Sequence, residues 1–279
     1  MTKASKVQYA IALIAGLAAT GTAGAADLLP PPPLPEPPTV HVGGGLYLRG
    51  YIGMTNQSVD SLENAQFATA EVTWLNEPGF DSSPLFGGGI GWVVNDWFRV
   101  DGTAEFRGRA TFHGLDSYDT LPADGTPDGS NNYDGAKSEW LLLANAYFDL
   151  GTWHGITPYV GAGIGASRNT IHNFTDTNAP VGGEAYGATK SKWDLAWALH
   201  AGMGYQVTDR LTLDLAYRYV DMGDGVTGDL VAFDGTNAVD NPMHFKSLTS
   251  HDVMLGIRWN FDAPAPISDL PPPPAIFKH

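Results

Sequence analysis

The 279 residues contain no cysteine, so the chain can form neither a disulfide nor a thiolate metal site. Charge is sparse. Only 16% of residues are Asp, Glu, Lys or Arg, and bases are scarcer than acids, 15 against 30. A net charge of −15 lacks the basic face that nucleic-acid binding requires. Long apolar runs are also missing. The longest, Tyr9 to Thr20, follows Lys3 and Lys6 and precedes Ala23-Gly24-Ala25. It falls short of the roughly 18–20 residues a helical span needs. The order basic, apolar, small-x-small predicts an export signal over residues 1–25. Removing Lys3 and Lys6 with that signal takes the net charge from −15 to −17. Catalytic motifs are missing too: there is no Gly-x-Ser-x-Gly, no His-Glu-x-x-His and no phosphate loop. His172, Asp176, Glu184 and His200 are scattered and do not group as a site. No enzyme, cofactor or metal centre is expected.

What the chain has in quantity is glycine (34), aromatics (11%) and alternation. In Leu211 to Asp221, Leu211, Leu213, Leu215, Tyr217 and Tyr219 share one face, while Thr212, Asp214, Ala216 and Arg218 share the other. A period of two marks a β-strand with unlike faces. Seven further runs alternate in the same way: 46–57, 84–94, 97–113, 138–150, 156–173, 194–208 and 249–261. Asn95-Asp96, Gly151 to Gly155 and Asp209-Arg210 read as tight turns, whereas 58–82, 115–137, 174–193 and 225–246 read as long polar loops. Flanking the runs are Leu-Leu-Pro-Pro-Pro-Pro-Leu-Pro-Glu-Pro-Pro in 26–42 and Ser-Asp-Leu-Pro-Pro-Pro-Pro in 263–279, expected to be extended tails. Residues 43–262 are then one domain.

The two faces decide its surroundings. The apolar face carries almost no charge and gathers aromatics at strand ends: Trp92, Phe98, Phe148, Tyr205, Trp259 and Phe261 near the short turns, and Phe106, Trp197 and Tyr219 near the long loops. The other face carries Arg49, Arg99, Asp101, Glu105, Arg107, Asp149, Asp214, Arg218, Asp252 and Arg258. A soluble lipocalin-like barrel would have to seal those charges inside while exposing Leu and Trp to water. A transmembrane barrel places an apolar band and aromatic girdles against lipid. The expectation is an all-β, eight-stranded antiparallel up-and-down barrel in a membrane, monomeric, with both termini on the short-turn side.

Four segments carry a family resemblance: Ile156-Thr-Pro-Tyr-Val-Gly-Ala-Gly-Ile-Gly165, Ala196-Trp-Ala-Leu-His-Ala-Gly-Met-Gly-Tyr205, Leu211 to Asp221, and Ser250-His-Asp-Val-Met-Leu-Gly-Ile-Arg-Trp-Asn-Phe261. In these the chain resembles the Omp25/Omp31-type outer-membrane proteins of alphaproteobacteria, within the OmpA-like eight-stranded barrel group. The resemblance implies the Gram-negative outer membrane, with periplasmic termini and lipid and lipopolysaccharide as surroundings. It also implies that the strand ending at Phe261 is read by the barrel-assembly machinery. Two departures stand out: the chain continues past Phe261 into a proline-rich tail ending Phe277-Lys-His, and a proline run replaces the family's lead-in to the first strand.

The interior charges and the loops carry the functional expectation. An eight-stranded lumen is just wide enough for side chains to fill. Five arginines facing five carboxylates should pair and close it, although glycines on the inward face of the second, fifth and sixth runs should leave space. The four long loops hold fifteen acidic residues against four lysines, including Asp60, Glu63, Glu71, Glu77, Asp81, Asp116, Asp119, Asp124, Asp128 and Asp134. These suit solubility at a cell surface, or cation bridging to lipopolysaccharide phosphates. The tails suit spacers, or docking on peptidoglycan or a periplasmic partner. The leading expectation is a structural envelope protein with a plugged interior. The alternatives are a narrow porin, and an adhesin or ligand-binding (haem, for example) surface protein.

Overall fold

The computed structural model describes residues 45–237 and 239–261. The expected signal segment and both proline-rich tails lie outside the described residues. Eight strands close into a ring: β1 (Gly45–Ser58), β2 (Ser83–Asn95), β3 (Phe98–Thr120), β4 (Gly129–Asp149), β5 (Ile156–Asn178), β6 (Lys190–Gln206), β7 (Leu211–Asp221) and β8 (Thr249–Asn260). Each pairs antiparallel with its neighbours in sequence, and β1 closes on β8 from Tyr47 opposite Asn260 to Ser58 opposite Thr249. All eight expected runs are strands. Among the described residues no helix is long and apolar enough to cross a membrane, and the one helical feature is a 3₁₀ turn, Ala65–Thr69.

Local chemistry sets the turns. Asn95 Oδ1 accepts from the Trp97 amide (3.1 Å), and Thr208 Oγ1 accepts from the Leu211 amide (3.0 Å). The β4–β5 turn needs left-handed backbone, supplied by Gly151 (φ 107°) and Gly155 (φ 81°). The outward side chains are apolar throughout the ring: Ile52 is 65% exposed and Leu255 61%. Such a continuous apolar surface belongs in hydrocarbon, with every backbone polar group satisfied by the closed ladder.

The other end corrects an expectation. Segments 58–82, 115–137 and 174–193 are largely strand, not polar loop, and 225–246 contributes three short strands. β3 and β4 run on as a hairpin from Arg107 to Thr120 and Gly129 to Glu139. Ala70–Phe80 adds to the β3 edge, Gly183–Gly187 adds to β5, and Leu230–Ala232 adds to Gly183–Gly187. A three-stranded sheet of Gly225–Val226, His244–Lys246 and Ser61–Glu63 completes this cap. The acidic side chains of the cap build its turns: Asp119 Oδ2 accepts from the Asp124 and Gly125 amides (3.0 and 2.7 Å), and Asp128 Oδ2 from Thr120 N (2.9 Å).

Bulges explain why the period of two loses its phase here. In β3 the inward parity is odd through Arg107 and even from Ala110, because the β3–β4 register shifts between them. In β5 it changes at Asn173, whose φ is 47°. Just past these points Phe112 and Phe174 turn inward and are buried.

Candidate functional site

The ring brings all ten expected charges into one lumen. Four of them form a closed square. Arg107 Nε donates to Glu105 (2.8 Å) and its Nη2 to Asp252 (2.6 Å). Arg218 Nη2 donates to both oxygens of Glu105 (2.7 and 2.8 Å) and its Nε to Asp252 (2.9 Å). Ser250 accepts from Arg107 Nη1 (2.6 Å). The four side chains are at most 2% exposed. Below the square, Arg49 pairs with Asp101 (2.9 Å) and donates to the Tyr147 hydroxyl (2.7 Å). Tyr47 and Asn145 also donate to Asp101 (2.9 and 2.8 Å). Near the short turns Arg99 pairs with Asp149 (3.1 Å) and Arg258 with Asp214 (3.2 Å). The Arg99 guanidinium lies 4.2 Å from the Tyr147 ring centre and 4.4 Å from that of Tyr159.

The inward glycines do not leave space. A Cβ at Gly87 would stand 2.6 Å from Cζ of Tyr51, one at Gly202 2.7 Å from Cζ of Tyr159, and one at Gly91 would enter the Tyr47 ring. Each glycine is the seat over which a long side chain lies. Arg, Tyr and Gly are therefore one packing device, and the tyrosines were missed because their role shows only against the glycine opposite.

Above the square a second ion pair, Lys137 with Glu139 (2.8 Å), is fully buried. Its alternation continues the inward face of β4, the sequence signal that could have found it. Lys137 Nζ sits 5.0 Å from the Phe80 ring centre. Next comes an apolar layer. Phe112 packs 4.9 Å from Phe245, 5.0 Å from Phe80 and 6.0 Å from Phe174, centre to centre. Ile171, Val220, Met222, Met243 and Leu248 surround them. Above it Tyr133 donates to Asp116 (2.8 Å), and Asp176 keeps one buried oxygen without a hydrogen-bond partner among the described residues. Burial, and then the Asp116 charge, push the Asp176 carboxyl up to about 7. Burial also raises Asp116, against the hydrogen bonds from Tyr133 and Asn131.

On the outer wall the expected aromatics form two rows. Phe98 packs 5.2 Å from Phe148 by the short turns, with Trp92, Tyr205, Trp259 and Phe261 exposed at that end. At the cap end Phe106 packs 5.2 Å from Trp140 and 5.5 Å from Phe86, and Trp197 lies 5.5 Å from Tyr219.

A family model described as "Outer membrane protein beta-barrel domain" matches residues 13–261. An uncharacterized protein of Brucella abortus is 29% identical over 285 residues, covering 89% of this chain and 96% of its own. The outer membrane protein PagN of Salmonella typhimurium is 29% identical over 226 residues, covering 78% and 90%. The crystal structure of Neisserial surface protein A superposes with a TM-score of 0.42 at 17% identity, covering 78% of this chain and 99% of that one.

Proposed function

Since the chain belongs to the outer-membrane-protein β-barrel family, we propose that it is a structural protein of the Gram-negative outer membrane whose interior is sealed twice. One observation carries the reading: a fully buried four-charge square, Arg107–Glu105–Arg218–Asp252, lies beneath a layer of phenylalanines packed edge-on and tilted against one another. An ion crossing the lower seal must break charge-assisted bonds whose loss leaves buried charge unpaired, a cost of several kcal/mol. The upper seal offers no polar path. Catalysis is disfavoured because each carboxylate of the lower lumen is held by an arginine. Short turns and termini face the periplasm in this reading, with the last strand engaging the assembly machinery and the tails reaching peptidoglycan or another periplasmic partner. The cap faces outward and presents exposed Phe233, Val181 and Leu75 for surface contacts.

Planar-bilayer recording of purified protein tests the seal. The expected trace is flat. Steady, reproducible openings would establish a narrow porin instead.

A further inference from the structure

The cations of the cap end divide sharply. Lys137, Lys192 and Lys246 each pair with carboxylates. Arg109 on β3 and Arg168 on β5 have no ion-pair partner among the described residues, and both are exposed; Lys190, unpaired as well, stands opposite buried Ile171 and so has inward parity. Arg109 and Arg168 point outward, since Ala110, Ser167 and Asn169 beside them are buried. Arg168 stands in register with Trp140 on one side and Trp193 on the other, so it lies in the cap-side aromatic row. Two residues further up is a row of hydroxyls, Ser138 opposite Thr170 and Thr170 opposite Ser191. Ser138 also bonds His172 Nε2 (2.9 Å). The outward carboxylate above them, Asp134, accepts from Asn132 (2.6 Å). In a chain with twice as many acids as bases, this is a cationic collar on one sector of the wall with no ion pair among the described residues.

Its height is set by the strands. From Phe148 in the lower aromatic row to Trp140 in the upper is eight residues. At ~3.3 Å per residue and a tilt of ~40° that is about 20 Å, close to the ~25 Å apolar band of such barrels. The collar is therefore at head-group level. Directly beneath it the same sector is hollowed. Gly102, Ala144, Ala146 and Ala162 floor a groove of about 740 Å³ between Ile90 and Ile164, and an adjoining hollow of about 800 Å³ continues it toward Leu142. The sector of β6 to β8 presents Leu199, Leu215, Leu255 and Ile257 instead.

We propose that this sector is a docking site for a phosphorylated, multiply acylated glycolipid of the outer leaflet, of the lipid A class. Arg109 and Arg168 hold its phosphates, the hydroxyl row holds its sugar, and an acyl chain lies in the groove. Charge complementarity selects the occupant. Inside a bilayer, hydrocarbon packed against hydrocarbon carries no hydrophobic drive, so the head group decides and the groove only places the chain. The proposal rests on the outward-facing cap of the structural reading and reassigns the lipid contact from the acidic loops to the wall.

The test uses the folded protein in detergent micelles, with bisphosphorylated lipid A as probe and native mass spectrometry as readout. The variants are R109S/R168S and G102L; a Cβ at Gly102 meets nothing within 4 Å, so the leucine is accommodated by the fold. Binding should fall about tenfold or more in the double variant, as it should for dephosphorylated lipid A on the wild type. It should fall several-fold in G102L. Unchanged binding of the double variant, or equal binding of the dephosphorylated lipid, overturns the proposal. Unchanged binding in G102L overturns the acyl seat. Orientation is read separately, by labelling Thr126→Cys on intact cells with a membrane-impermeant maleimide; failure there sinks the outward cap and leaves the micelle result standing.

Discussion

Between the short turns and Arg107 the lumen is filled by five arginine–carboxylate pairs and by tyrosines lying over glycines. Between Lys137 and the outer hairpins it is filled by phenylalanines and aliphatic side chains. The difference follows from what can reach each level. A turn as short as Asn95-Asp96 cannot fold back into the cylinder, so the lower half must be filled by the strands' own side chains. Only long ones bridge the gap, and an opposing glycine makes room for them. The upper half has long connections. These deliver Leu62, Phe80, Met243 and Phe245 from segments outside the ring, so apolar bulk does the filling. The lower filling is one with the wall, and the upper is a separable insert.

If that contrast holds, the largest effect comes from breaking the lower half. Arg218→Met leaves Glu105 and Asp252 one cation short in full burial and should cost about 3–5 kcal/mol. Loss of the compact band on an unboiled gel, or a lowered urea midpoint in micelles, would register it. Adding Glu105→Leu should recover much of the loss, because an apolar replacement of the whole pair costs far less than an orphaned charge. A variant as stable as wild type would mean the square is not the lower seal.

Next in size is Phe245→Ala. It removes the ring against which Phe112, Phe80 and Phe174 pack. A Phe-to-Ala truncation in a core is worth about 3–5 kcal/mol, but here the loss should stay in the cap. Proteolysis within 225–246 should quicken by about tenfold or more while the barrel's gel mobility is unchanged. A barrel that fails to fold would refute the separable insert.

The two halves also differ in how legible they were. Eight strands, their turns, the outward apolar face and all ten inward charges follow from alternation alone, because the lower ring keeps its phase from end to end. The cap did not follow. After the Arg107/Ala110 shift and the Asn173 twist, Phe112 and Phe174 face inward where an unbroken period would turn them out. Short strands such as His244–Lys246 carry too few residues to show a period at all. Arg109 was misplaced for the same reason: read in phase with Arg107, it belongs inside.

The smallest expected effect separates the halves by pH. The cap carries Asp176 beside Asp116 and Tyr133, with the Asp176 carboxyl raised from an ordinary value near 3.8 to about 7. A raised carboxyl is neutral in the folded cap while the unfolded chain is already ionised. Its stabilising contribution is therefore complete below pH 4 and is lost as pH climbs through 7. Two carboxylates in one partly buried site then repel. Amides of 131–134 and 174–177 should show protection factors about tenfold higher at pH 5 than at pH 8, whereas amides of the lower ring should show no such change. Asp176→Asn should flatten the profile at its pH 5 level, since the amide stays neutral throughout. A cap whose protection rises toward pH 8 would reverse the sign and place the ionised form of Asp176, not the neutral one, in the folded structure.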